Sequence, residues 1–133
     1  MKTGLVVCLL LLAGMAFAQT SPSEREAMAV SEGAIVRALD MVTGELRDIE
    51  ISAGETVRFR RLEITFTECR YPAGHPMRDA FAFLVIRDIR EPEPRFRGWM
   101  VASSPALSAM DHPRYDVWVL RCKIPEAETS NGG

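Results

Sequence analysis

The sequence predicts an all-β domain, a small antiparallel sandwich or barrel of about six or seven strands with one short helical turn in the insert at residues 103–112. Between residues 33 and 124 the apolar residues recur with a period near two rather than near 3.6. Turn-forming residues return every ~8–12 positions, which is the spacing of short strands in sandwiches and barrels. No internal repeat interrupts this pattern.

The first strands follow one another closely. Ala34–Leu39 is the first, and the loop after it ends in Gly44, whose freedom to adopt positive φ favours a hairpin into Glu45–Ile51. A turn over residues 52–55 then leads into Thr56–Phe59. The pattern therefore indicates neighbouring antiparallel strands in this half of the chain.

Leu62–Cys69 has the clearest alternation in the sequence. Leu62, Ile64 and Phe66 point to one side, and polar residues stand between them. This pattern is typical of a strand with one buried face and one solvated face.

The second half of the domain begins with a loop over Tyr71–Asp79. Phe81–Ile86 is apolar on both faces, so we expect a central strand that is covered on each side. The prolines of Glu91–Pro94 cannot continue a ladder of hydrogen bonds. Phe96–Val101 and Tyr115–Cys122 supply the last two strands.

The first eighteen residues are typical of a secretory signal peptide. Lys2 precedes an apolar run over Gly4–Phe17, which ends with small residues around Ala18. The run is shorter than the roughly 20 residues that cross a bilayer, which disfavours the alternative of an uncleaved anchor.

Cleavage after Ala18 leaves the length of one domain. We expect a signal peptide over 1–18, a flexible leader over 19–32, the β domain over 33–124 and a disordered tail over 125–133. This organisation excludes a multidomain protein and a polytopic membrane protein. It also predicts no transmembrane segment after cleavage.

The charge narrows the class of partner. After Ala18 the chain holds 15 Lys and Arg against 18 Asp and Glu, a net charge of −3. A mildly acidic domain lacks the basic footprint of a nucleic-acid-binding protein, so we expect no nucleic acid partner.

The cysteines predict a structural disulfide. Cys8 leaves with the signal peptide, and an even pair, Cys69 and Cys122, remains in an exported chain. Both end apolar segments, so adjacent strands could bring them together. A redox pair or a zinc site is disfavoured, because CxxC spacing is missing and only His75 and His112 could add soft ligands. We expect neither a metal nor a cofactor.

A catalytic hypothesis rests on one loop and its flanks. The groups are a serine nucleophile, a histidine base and a carboxylate that orients it: Ser103 or Ser104, His112, and Asp111 or Asp116. No nucleophile-elbow signature is present. Ser104 before Pro105 is also typical of the N-cap of one or two helical turns, and His112 before Pro113 suits a turn residue.

A binding hypothesis rests on aromatic residues beside the same loop. Its candidates are Trp99, Pro105, His112, Tyr115 and Trp118. If the two flanking segments pair, their rings could cluster beside the loop, and an exposed ring there would suit a binding hot spot. The alternative is that Trp99 and Trp118 are core residues.

A series of short motifs runs through the predicted strands and the insert between the last two of them. They are Ala38-Leu39-Asp40, Thr43-Gly44, Gly54-Glu55-Thr56-Val57, Leu62-Glu63-Ile64, Cys69, Gly98-Trp99-Met100, Ala102–Ala109, His112-Pro113, Tyr115–Trp118 and Cys122. In these motifs the chain resembles DUF2155, a family of exported bacterial proteins of unknown function. The resemblance covers about Ile35 to Cys122. It implies no catalytic residue. It implies a periplasmic protein, and the genes of the family often lie beside one for a homologue of a small accessory subunit of the respiratory NADH:ubiquinone oxidoreductase.

We therefore expect a non-catalytic accessory or protein-interaction module of the cell envelope. Its partner would be an envelope or inner-membrane protein complex, with a membrane respiratory complex as one candidate. The alternative is a small hydrolase or ligand-binding protein centred on the Ser103–His112 loop.

Overall fold

The structure, a computed structural model, describes residues 27–125. This part of the chain forms eight antiparallel strands and one 3-10 turn, which confirms the all-β prediction. The elements are β1 (Met28–Ser31), β2 (Gly33–Asp40), β3 (Leu46–Ser52), β4 (Thr56–Phe59), β5 (Leu62–Pro72), β6 (Phe81–Asp88), β7 (Phe96–Val101), the 3-10 turn (Pro105–Ser108) and β8 (Tyr115–Cys122). The predicted signal peptide and most of the predicted leader and tail lie outside the described residues.

The larger sheet has five strands built around β5. The strand order is β1-β5-β6-β7, and β4 also pairs with β5. The eleven residues of β5 pair with β4 near their start, over Leu62–Thr65, and with β1 near their end, over Cys69–Pro72. One long strand thus pairs with two short edge strands, one near its start and one near its end.

The smaller sheet has three strands in the order β3-β2-β8. The inward side chains of both sheets form one core, so the molecule is a sandwich. The largest of them are Tyr71, Tyr115, Phe59, Phe66, Ile51, Leu62, Ile64, Leu84 and Ile86.

A β-bulge precedes both cysteines of the described part of the chain. In β5 the register with β6 shifts between Phe66 and Glu68, and Cys69 becomes buried with Phe66 although the two are three residues apart. In β8 the register with β2 shifts in the same way, and Cys122 becomes buried together with Val119. Each bulge reverses the alternation locally and turns a sulfur atom into the core.

The two cysteines form the predicted disulfide, with 5.6 Å between their Cα atoms. Cys69 lies in the larger sheet and Cys122 in the smaller one. The expectation that adjacent strands bring them together is therefore wrong, because the bridge crosses the core from sheet to sheet. It ties the two layers of the sandwich to each other.

Two boundaries differ from the sequence prediction. The sequence predicts Met28–Ser31 to be part of the flexible leader, yet this segment forms β1. It predicts Tyr71 and Pro72 to be part of a loop, yet they end β5. Both differences have one cause, because β1 pairs with the last four residues of β5 and the ladder continues from the Ala73 amide to the Ala27 carbonyl.

Residues 102–114, which we call the strap, connect β7 to β8. These strands belong to different sheets, and the strap leaves one end of the sandwich and enters the next strand at the other end. It contains the predicted helical turn as a 3-10 turn over Pro105–Ser108 and buries Met110 in the core. The strap therefore runs along the side of the sandwich where β7 and β8 are edge strands.

No helix among residues 27–125 is long and apolar enough to cross a membrane.

Candidate functional site

The predicted aromatic residues do not lie together. Trp99 is on the outer face of the larger sheet, Trp118 is on the outer face of the smaller one, and Tyr115 is in the core at 1% exposure. The expected cluster required β7 and β8 to pair, and these strands belong to different sheets. Pro105 is exposed at the start of the 3-10 turn, whereas His112 is buried.

Both ring nitrogens of His112 are engaged within the fold. Nδ1 accepts hydrogen bonds from the backbone amides of Arg114 at 3.0 Å and Tyr115 at 3.1 Å. Nε2 lies 2.9 Å from the Asp88 carboxylate. Because Nδ1 accepts, the proton is on Nε2 and is donated to Asp88. No ring nitrogen remains to accept a proton from a serine.

Asp88 is the buried partner of His112 at the end of β6. It also accepts hydrogen bonds from the Arg90 amide at 3.0 Å and from Arg61 at 3.1 Å. Burial alone would raise the pKa of the Asp88 carboxyl, but the hydrogen bonds from Arg90, His112 and Arg61 outweigh it and lower the pKa to about 2. The ionised carboxylate thus holds the end of the strap to the larger sheet.

Ser103 is bonded elsewhere, at the start of the strap. Its hydroxyl donates to Asp79 at 2.7 Å, and its amide donates to the same carboxylate at 3.0 Å. Ser104 precedes the 3-10 turn without a capping hydrogen bond from its side chain, and Asp116 lies on the outer face of the smaller sheet. The hydrogen bonds hold the two ends of the strap, and none of them joins a serine to His112. The catalytic hypothesis stays a prediction that no contact favours.

A second ion pair, between Asp40 and Arg114, lies at the same end of the sandwich as Asp88 and His112. Asp40 is fully buried and accepts hydrogen bonds from Arg114 and from the amides of Val42 and Thr43. Chiefly because of the Arg114 guanidinium, the pKa of Asp40 lies well below its usual value. This pair joins the β2–β3 turn to the start of β8.

Among residues 27–125, no group of three or more His, Cys, Asp or Glu side chains is placed to hold a metal ion.

The outer face of the larger sheet carries a cluster of aromatic side chains. We define the aromatic face by its outward side chains: Met28, Val30, Thr56, Arg58, Glu63, Thr65, Glu68, Arg70, Phe81, Phe83, Val85, Arg87, Arg97, Trp99 and Val101. Phe83 and Trp99 are directly opposite each other on β6 and β7, and their rings meet edge to face at 5.4 Å. Arg70 reaches across from β5 and stacks its guanidinium 4.9 Å from the Trp99 ring.

This face is only partly covered. Val30 is 59% exposed and Met28 43%, and the rings of Phe81, Phe83 and Trp99 are half-buried. The prediction that β6 is covered on each side is therefore wrong for its outer side, where none of the residues 27–125 forms a further layer. The inward side chains of β6, by contrast, are buried.

The charged residues of the aromatic face leave two cations without an ion pair. Arg70 pairs with Glu68 at 2.5 Å and Arg87 with Glu63 at 2.7 Å. Arg58 and Arg97 make no ion pair with a described residue, and Arg97 lies two positions from Trp99. The face therefore has a net charge of about +2 in a chain whose formal net charge is −2.

The outer face of the smaller sheet, which we call the charged face, is different. Trp118 is opposite Arg37, and Arg37 forms a two-pronged ion pair with Asp48 through contacts of 2.6 and 2.9 Å. Lys123 and Glu50 form another pair nearby. Trp118 thus lies beside charged residues rather than beside other rings.

Sequence reasoning identified Trp99 but missed Phe81, Phe83 and Arg70 as its neighbours. The signal was present in the sequence, because Phe81–Ile86 is apolar at every position and would need cover on both sides of the sheet to be fully buried. In a sandwich of two sheets, each sheet is covered on one side only, so the outward rings of this segment remain accessible.

The comparisons with known proteins identify the family of the chain. The model of a bacterial family described as "Uncharacterized protein conserved in bacteria (DUF2155)" matches residues 34–122, which span β2 to β8 and include both bonded cysteines. A protein of Rickettsia prowazekii (strain Madrid E), named Uncharacterized protein RP359, is 30% identical over 88 residues. That match covers 64% of this chain and 57% of the relative, so the chain spans little more than half of the relative's length. No solved structure matches the chain. Since the family model matches well over half of the chain, the protein belongs to the DUF2155 family.

Proposed function

We propose that the protein is a non-catalytic interaction module of the cell envelope, which binds a protein partner through the aromatic face. The observation that carries the proposal is the half-buried cluster of Phe81, Phe83 and Trp99, over which residues 27–125 form no second layer. Contiguous exposed apolar surface of this kind marks interaction sites in soluble proteins.

The chemistry of this face suits a protein partner. Trp and Arg are the residues most enriched at binding hot spots, and here Arg70 stacks on Trp99. Phe83, on the neighbouring strand, packs edge to face against the Trp99 ring, so the cluster is already ordered before binding. Because Arg97 lacks an ion-pair partner among the described residues, we propose an apolar partner surface bordered by carboxylates.

The proposed location is the periplasm. A charged start followed by a short apolar run supports export, and a buried disulfide between the sheets suits an oxidising compartment. With the family resemblance, this location favours an envelope or inner-membrane protein complex as partner. A membrane respiratory complex is the first candidate to test.

The strap supports a structural role rather than catalysis for its polar groups. His112 has no free ring nitrogen, and the Ser103 hydroxyl donates to Asp79. A hydrolase centred on the strap would need these hydrogen bonds to be exchanged before chemistry could begin.

The test uses the tagged, exported protein, crosslinked in living cells, with captured proteins identified by mass spectrometry. The binding of each captured protein is then measured with purified components. We expect Trp99→Ala to weaken binding of the true partner more than about tenfold, the loss of a typical hot spot. Trp118→Ala is the matched control, an equally half-buried indole on the charged face, and it should bind like the wild type.

Equal binding by the wild type and Trp99→Ala would contradict the proposal. So would a partner that is lost only from Trp118→Ala. Since Trp99 lies on the surface, the folded state of each variant is checked by its unfolding midpoint before binding is compared.

A further inference from the structure

A cleft opens on the aromatic face where four strands contribute side chains. It has a volume of about 340 Å³ and is lined by Met28, Arg70, Phe81 and Trp99. Three of these side chains are apolar, and Arg70 is the one polar group among them. The cleft is shallow and wide open to solvent, so a large apolar side chain can pack on its apolar lining beside the arginine.

Arg70 retains hydrogen-bonding capacity toward a ligand. Its Nε and Nη2 atoms both donate to a single oxygen of Glu68, at 3.0 and 2.5 Å. A guanidinium carries five N–H donors, so three of them make no hydrogen bond with a described residue. The guanidinium carbon lies over the Trp99 ring, 4.9 Å from its centroid, so the cation–π contact and the remaining donors belong to the same group.

We propose that this cleft binds a partner segment in which a large apolar side chain stands next to an Asp or Glu side chain. The inference rests on the proposed function, because it specifies what the aromatic face recognises. The apolar side chain would pack against Phe81 and Trp99, and the carboxylate would accept hydrogen bonds from Arg70. Charge complementarity favours this occupant, since Arg70, Arg87 and Arg97 outnumber the two glutamates of the face.

Glu68 competes with the ligand for Arg70. The intramolecular pair is exposed, with 48% of the Arg70 side chain and 29% of the Glu68 side chain accessible, so exchanging one carboxylate for another costs little. Removing this competitor should strengthen binding, which a purely apolar cleft would not show.

The experiment is an NMR titration of the labelled exported protein with three short peptides. They are acetyl-Leu-Asp-Leu-amide, its Asn analogue, and acetyl-Leu-Leu with a free carboxyl terminus. The reporters are the Trp99 indole N–H and the Arg70 Nε–H signals, with the Trp118 indole as the internal reference. We expect the Asp peptide to move both reporters at about millimolar concentration and to bind about fivefold more tightly than the Asn peptide.

Variants assign the effect to the cleft. Arg70→Gln should remove the preference for Asp over Asn, while Arg37→Gln on the charged face should leave it intact. Glu68→Gln should strengthen binding of the Asp peptide about two- to fivefold, and it leaves Arg70 and the core unaltered.

Each other outcome would overturn the inference. Equal binding of the Asp and Asn peptides would exclude carboxylate recognition, and binding of the free-terminus peptide alone would assign the cleft to chain ends instead. If no peptide moved the Trp99 signal, the cleft proposal would be wrong. Crosslinking that still depended on Trp99 would show that the proposed function survives this failure.

Discussion

The two outer faces of the sandwich each present one half-buried tryptophan, yet we propose a binding role for only one of them. On the aromatic face, Trp99 packs edge to face against Phe83, and the Arg70 guanidinium lies over its ring. On the charged face, Trp118 is opposite Arg37, which is paired with Asp48. The difference shows that the chemistry of the surface around a tryptophan depends on the residues of the neighbouring strands rather than on the tryptophan itself.

The cause of the difference lies in β6. This strand supplies Phe81 and Phe83 to the outside of the larger sheet while it buries Leu84 and Ile86 inside. The middle strand of the smaller sheet, β2, instead places Arg37 between its outward apolar residues. An apolar outer row on a central strand leaves surface that water solvates poorly, and a charged residue in that row prevents this.

The largest effect is expected from removing the bridge that keeps the two faces on one sandwich. The double variant Cys69→Ala/Cys122→Ala should lose about 4 kcal/mol of unfolding free energy, since the bridge closes a loop of more than fifty residues. Denaturant unfolding under oxidising conditions measures the loss. Reduced wild type is the control and should lose a similar amount, and a double variant as stable as the oxidised protein would contradict the prediction.

The strands were predictable from the sequence, whereas their assembly was not. Alternation located β2 to β8 because each buries one row of side chains. It could not place Cys69 in the core, because the strict alternation of Leu62, Ile64 and Phe66 puts residue 69 on the solvent side and only the bulge reverses this. Nor does local sequence state which strands share a sheet. The expected cluster of Trp99 with Trp118 failed for that reason.

The next largest effect concerns the strap, which joins the sheet of one face to the sheet of the other. His112→Ala should lower the unfolding free energy by about 2 kcal/mol, since it removes the acceptor of two backbone amides and a partner of buried Asp88. Unfolding in denaturant measures this. Ser103→Ala, at the exposed end of the strap, is the control and should change stability much less.

Partner binding by a His112 variant tests whether the role of His112 is only structural. A folded His112→Ala variant should bind the partner as the wild type does. Loss of binding in that variant, with Trp99→Ala unaffected, would move the site from the aromatic face to the strap.

A smaller effect is expected from acid, acting through Asp88. Its pKa falls from 3.8 to about 2 on folding, so the carboxylate contributes stability above pH 4 that is lost as the pH falls toward 2. Unfolding midpoints measured between pH 5 and 2 should therefore decline, and the decline should be shallower in Asp88→Asn than in the wild type. The buried Asp40, whose pKa is also lowered, maintains part of the slope in both proteins.

A stability profile of Asp88→Asn that ran parallel to that of the wild type between pH 5 and 2 would contradict this prediction. The buried ion pair would then contribute nothing to the pH dependence.

The smallest effect is expected on the charged face and tests the comparison most directly. Arg37 and Asp48 are exposed, with 34% and 46% of their side chains accessible, so solvent screening offsets the attraction within the pair. Arg37→Ala should change the unfolding midpoint only slightly and leave partner binding unchanged, and a double-mutant cycle with Asp48→Ala should show only weak coupling. A loss of partner binding in Arg37→Ala would mean that Trp118 and its charged neighbours form a site as well. The contrast between the two faces would then be one of chemistry, an arginine-bordered aromatic surface against a charged one, and no longer one of function.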